Sequence, residues 1–128
     1  MSHGFNDDKS KFDLANENVS LNNFIFNYGF PIEFDASKSK IYVNANVLFF
    51  YINCTSVQFY GTSGTLFRIN NKYRPAVSYC IASIRSTTAP YKEVGTIWID
   101  TNGEVKYYLT DTSPRKFYIQ GMYVLKGV

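Results

Sequence analysis

The chain has 128 residues, 45% of them apolar and 18% aromatic, and a net charge of +3. That length suits one domain with a real hydrophobic core. The charge is too mild to imply nucleic acid, and no apolar run approaches the roughly 20 residues that span a bilayer as a helix.

Residues 1–23 (MSHGFNDDKSKFDLANENVSLNN) are rich in Asn, Asp, Lys and Ser and show no sustained hydrophobic period. They read as a flexible or partner-dependent arm, with at most a short helical turn near Asp7–Ala15. The polar, acidic start does not resemble a secretory signal. Residues 1–35 carry a net charge of −4 and the remainder +7, so an acidic arm gives way to a mildly basic body.

From residue 24 the composition changes. Phe24-Ile25-Phe26 and Phe30–Phe34 are short β-like pieces broken by Gly29 and Pro31. Asp35–Lys40 reads as a polar turn. Ile41–Val43 and then Val47–Val57 (VLFFYINCTSV) form the densest apolar run. It alternates imperfectly, which predicts a strand covered on both faces and bent or bulged along its length. Leu66–Ile69 is a short strand. Asn70–Pro75 is a loop in which Pro75 restricts Arg74, so Tyr73 and Arg74 shape that loop. Val77–Ile84 is a strand, and Arg85–Val94 is the longest polar connection of the body. Thr110–Pro114 is a turn, and Arg115–Leu125 is a last strand with Phe117, Ile119, Tyr123 and Leu125 on one side.

The clearest element is Gly95–Tyr108 (GTIWIDTNGEVKYY), a hairpin around Thr101-Asn102-Gly103. A three-residue loop with Gly103 left-handed opposes Ile99 to Val105 and Ile97 to Tyr107, so one face is apolar; a two-residue Asn-Gly loop would mix polar and apolar residues on both faces. Register follows the hydrophobic pattern. Thr96, Trp98, Asp100, Glu104, Lys106 and Tyr108 then share the outer face.

About eight short strands, with turn signals every 8–12 residues, predict an all-β antiparallel Greek-key barrel or sandwich spanning residues 24–128 behind the arm of residues 1–23. Cys54 and Cys80 fall in predicted strands and read as buried free thiols, a single bridge between neighbouring strands being the alternative. The sole histidine, His3, lies in the arm. The body therefore offers no Ser-His or Cys-His pair, and no enzyme activity or catalytic residue is expected. Asp100 to Glu104 has the start of a calcium loop but lacks its downstream glutamate. Turn chemistry explains those residues, so no metal and no cofactor are expected.

Three stretches occur in an order that resembles a known family. They are Leu66–Pro75 with its Tyr73-Arg74-Pro75, the Ile97-Trp98-Ile99-Asp100-Thr101-Asn102-Gly103-Glu104-Val105 hairpin, and the closing Ile119-Gln120-Gly121-Met122-Tyr123 strand. Over about residues 40–125 the chain is similar to the C-terminal head domain of receptor-binding, tail-fibre and baseplate proteins from phages of Gram-positive bacteria. Arg68-Ile69-Asn70-Asn71 departs from the proline-containing loop expected after Leu66. The resemblance implies a trimeric β-barrel head of a virion tail tip or fibre, made in the host cytoplasm, that adheres to a host cell-wall saccharide. Other tail or baseplate proteins would contact residues 1–23, and neither nucleic acid nor a membrane would be a partner.

Outward faces such as Trp98/Lys106/Tyr108 and Tyr118/Gln120/Met122 would leave apolar area in water in a monomer, which independently favours a closed oligomer. Tyr91 and Lys92 from the long loop, with Trp98, Asp100 and Lys106 from the hairpin, are the candidates for saccharide binding or a subunit interface. For Trp98 the plainer alternative is half-exposed packing with Lys106 over its ring. Two other functions stay open: a purely structural baseplate or tail-fibre protein, and an OB-like nucleic-acid-binding barrel using Arg68, Lys72, Arg74 and Arg85.

Overall fold

In the computed structural model the described residues are 17–27, 32–57, 59, 61–88, 91–113 and 115–126, with backbone alone at 27, 56, 57 and 80–82. Among the described residues nine strands form one sheet: β1 (Glu17–Asn18), β2 (Ile25–Asn27), β3 (Ile32–Asn44), β4 (Val47–Val57), β5 (Ser63–Ile69), β6 (Tyr79–Ser86), β7 (Glu93–Ile99), β8 (Glu104–Leu109) and β9 (Phe117–Val124). A one-turn helix α1 (Leu21–Phe24) precedes β2, and a 3₁₀ turn (Asn71–Tyr73) follows β5.

Strand order is β1-β3-β4-β9-β6-β7-β8-β5-β2, and every pairing is antiparallel. β6, β7 and β8 run as a meander and β9 returns beside β6, the Greek-key arrangement. The two edge strands, β1 and β2, are consecutive in the chain and joined only by residues 19–24. So short a link requires the sheet to curl until its edges approach, giving an open barrel.

α1 plugs that curl. Ser20 caps it by accepting from the Asn23 N–H. Phe24, 1% exposed, enters the core against Phe50, Phe67 and Tyr73, with ring centroids 6.3–6.4 Å away. The Asn70 N–H then donates to the Phe24 carbonyl. Val19 is also buried, and its N–H donates to the Ile41 carbonyl. Residues 17–23 are therefore part of the body, although composition placed them in the arm: one valine and one phenylalanine are enough to anchor an otherwise polar segment. The possible turn near Asp7–Ala15 lies outside the described residues.

Two local expectations are corrected. Asp35–Lys40 is not a turn between strands but a bulge within β3. Asp35 pairs with Asn53 and Lys40 with Tyr51, so four residues of β3 are taken up opposite one of β4. The Asp35 carboxylate accepts from the Ser37 N–H and hydroxyl, and the Ser39 hydroxyl donates to the Asp35 carbonyl while accepting from the Asn53 N–H. These polar side chains supply the hydrogen bonds that the interrupted ladder lacks. β4 does carry its expected bulge, at Thr55, but only one face is covered. Leu48, Phe50, Ile52 and Cys54 are buried, whereas Phe49 is exposed. Cys54 is a free thiol in the core; the side chain of Cys80 lies outside the described residues.

The hairpin has its predicted register. Ile99 faces Val105, Ile97 faces Tyr107, Trp98 faces Lys106 and Thr96 faces Tyr108. The Gly103 N–H donates to the Asp100 carbonyl at 2.9 Å, and Gly103 has φ +89°. Ala45 and Asn46, at φ 50° and 69°, form the two-residue turn between β3 and β4.

Candidate functional site

Three of the five candidate residues meet at one place. Trp98 is on the outer side of β7 and Asp100 lies two residues on, just past the strand's end, while Lys106 is the cross-strand partner of Trp98. The Trp98 indole N–H donates to Asp100 Oδ1 at 2.7 Å, and Lys106 Nζ reaches Asp100 Oδ2 at 2.8 Å and Glu104 Oε2 at 3.7 Å. The other Glu104 oxygen pairs with Arg68 at 2.9 Å. The hydrogen bond from Lys106, followed by that from Trp98, holds the Asp100 carboxyl below its ordinary range, and the same contact with Asp100 raises Lys106. The Lys106 ammonium thus goes to two carboxylates, and the polar atoms of this cluster are spent on one another. A ligand arriving here would have to displace bonds already made.

Tyr91 and Lys92 lie at the other end of β7. Lys92 and Trp98 are six positions apart, roughly 20 Å along an extended strand, so the five candidates do not form one site. Lys92 Nζ pairs with Asp111 at 3.1 Å, tying the β6–β7 loop to the turn after β8. Asp111 also accepts from the Ser113 hydroxyl at 2.6 Å and N–H at 2.9 Å. These bonds, with Lys92 beside them, hold its carboxyl down to about 2. Tyr91 is 70% exposed.

Between the two groups is a groove that the sequence did not single out. It has a volume of about 390 Å³ and is lined by Glu93, Gly95, Thr96, Tyr108, Leu109 and Thr110. A bulge makes it. Arg85 pairs with Glu93 and Ile84 with Gly95, leaving Val94 as the extra residue of β7. The Val94 carbonyl accepts from the Thr110 N–H at 2.8 Å and hydroxyl at 3.2 Å. At Gly95 a Cβ would lie 2.4 Å from the Tyr108 carbonyl oxygen, so only glycine lets the two backbones approach this closely. Tyr108 is 48% exposed beside the groove, and the Glu93 carboxylate accepts weakly from the Ser83 hydroxyl at 3.4 Å. No motif marks a bulge glycine, a solvent-facing tyrosine and a strand-end glutamate as a unit. The register Thr96↔Tyr108 was the one available signal.

A larger cavity of about 590 Å³ lies between α1 and the start of β3. Its aromatic wall, Phe34, packs edge-on against Phe67 at 5.8 Å, so that ring is engaged with the core. Of the cations proposed for a nucleic-acid surface, Arg68 pairs with Glu104 and Lys72 with Glu17. Arg74 donates to the Ile69 carbonyl and to Asn71, the loop-shaping role expected of it. Among the described residues no three His, Cys, Asp or Glu side chains gather as metal ligands. The chain matches no protein-family model, and no curated protein is similar to it in sequence.

Proposed function

We propose that the chain is a receptor-binding (adhesion) module of a phage tail tip, which recognises a host cell-surface saccharide as a homotrimer. The observation that carries this reading is the groove on the outer face of β7 and β8. An exposed tyrosine stands beside a carboxylate and two threonines, with Tyr91 two residues beyond its rim. Aromatic faces stack on the C–H side of a pyranose, and a carboxylate accepts from two neighbouring hydroxyls. A groove of this size falls within the range of small-ligand sites, while its openness to solvent suits a weak site used in several copies at once. The rigid β-sheet beneath keeps the loss of freedom on binding small. The part of residues 1–23 that precedes β1 would connect the module to other tail or baseplate proteins.

The test is binding of labelled protein to host cells and to purified wall polysaccharide. Tyr108→Ala and Glu93→Gln each lower the affinity at least tenfold, whereas Trp98→Ala lowers it less. Absence of binding to any wall polysaccharide by protein of confirmed fold would overturn the adhesin reading in favour of a scaffold that contacts only virion proteins.

A further inference from the structure

The outer face of β4 and β9 has a different character from that of β7 and β8. Phe117, Ile119 and Tyr123 of β9, and Leu48, Phe50 and Ile52 of β4, point into the core. The alternate positions therefore face outward, as Val47, Phe49, Tyr51 and Asn53 on β4 and Tyr118, Gln120, Met122 and Val124 on β9. None of these eight is charged. The register places them in facing pairs: Val47 with Val124, Phe49 with Met122, Tyr51 with Gln120 and Asn53 with Tyr118. Phe49, Met122 and Val124 are 43%, 54% and 44% exposed. The Tyr51 and Tyr118 rings stack at 4.8 Å and continue the patch, and the Ala76 N–H donates to the Val124 carbonyl, bringing exposed Val77 alongside.

We infer that this face is the contact between copies of the chain. Aromatic residues and methionine enriched, and charge excluded, are what distinguish the centre of a protein interface from ordinary surface. The exposed fractions of Phe49, Val77, Met122 and Val124 correspond to roughly 350 Å² of apolar area per copy, a little under half of the ~800 Å² per partner in a standard interface. The patch is thus large enough to be the core of such a contact, with Asn53, Gln120 and the charged residues beyond them as its rim. A second copy fits because the interior carries no charge, so no orientation of two copies sets like charges against each other at its centre. The apolar residues also form two parallel strips, one on each strand. Around a rotation axis the β4 strip of one copy meets the β9 strip of the next, which is the closed arrangement that identical subunits adopt. The Trp98 cluster lacks this character, since its charges are already paired within the chain. The inference moves the subunit contact from Trp98 to Phe49 and Met122. It rests on the adhesin reading only for the number of copies.

Light scattering coupled to size exclusion tests it on the full chain at micromolar concentration. Wild type is expected as an oligomer, at about 44 kDa if three chains of 14.7 kDa assemble. Phe49→Arg with Met122→Lys gives a folded monomer with an unchanged circular dichroism spectrum, and Trp98→Ala keeps the oligomer. Should the double variant lose its melting transition, Met122→Lys and Val124→Lys singly decide, each weakening assembly at least tenfold. A monomeric wild type, or an oligomer that persists in the charged variants, overturns the inference. A dimer that those variants dissociate supports this face and overturns the trimer. Polysaccharide binding by the monomeric variant reports on the adhesin reading separately.

Discussion

Gly103→Ala probes the junction that locks the hairpin onto the rest of the barrel. Gly103 sits at φ +89°, where a side chain costs about 1–2 kcal/mol. A Cβ there would also lie 2.6 Å from Arg74 Nε and 2.7 Å from the Ile69 carbonyl oxygen, a donor and acceptor that are themselves bonded at 3.0 Å. Moving the guanidinium away sacrifices a charge-assisted hydrogen bond, worth about 1.5–3 kcal/mol in general and toward the low end for a half-buried group. The Gly103 carbonyl meanwhile accepts from the Ile69 N–H at 2.8 Å, so the loop cannot swing out freely. Together these give a loss of about 3 kcal/mol, a large share of the 5–15 kcal/mol typical of a domain. At this chain length that is a fall in melting temperature on the order of 12 °C. Urea titration of Gly103→Ala in the wild-type and Arg74→Ala backgrounds measures it. In the second background the clash with Arg74 is gone, so the cost falls to about 2 kcal/mol, a coupling of about 1 kcal/mol. A cost below about 1 kcal/mol in wild type, or equal costs in both backgrounds, would refute the reasoning.

Three further outcomes are expected. Replacing Ala45-Asn46 by Asn-Gly, the residues that best tolerate two successive positive φ values, stabilises the protein by about 1 kcal/mol, read as a shift of the urea midpoint without a change in slope. The Asp111 carboxyl is depressed to about 2 in the folded chain from an ordinary 3.8, so its contribution is complete above about pH 4 and is lost as pH falls from there toward 2. Melting temperature followed across that range is therefore flatter for Asp111→Asn than for wild type; parallel curves would remove Asp111 from the account. The Tyr123 hydroxyl donates to the Tyr73 carbonyl in the interior, and Tyr123→Phe leaves that acceptor unpaired at a cost of about 1–3 kcal/mol. A neutral substitution would mean that the carbonyl finds another donor.

What the sequence determined by itself is local and periodic. Alternation over Ile97–Ile99 and Val105–Tyr107, with one glycine suited to positive φ, was enough to choose the hairpin register, because a slip by one residue would turn every side chain to the wrong face. The same pattern placed Phe117, Ile119 and Tyr123 inside, and the abundance of aromatic and β-branched residues set the all-β class. Tertiary structure decided everything that depends on distant segments meeting. Glu17–Asn18 became a strand only because β3 offers it an edge, and Asp35–Lys40 stayed within a strand because Asn53 completes its hydrogen bonds. The Glu93/Tyr108 groove exists because a bulge at Val94 coincides with a glycine pressed against β8. Trp98, the residue that composition made most conspicuous, was placed on the correct face by its period. Whether it was available to a partner depended on where Asp100 and Lys106 sent their charges, and pairing across strands is a matter of register and distance rather than of sequence pattern.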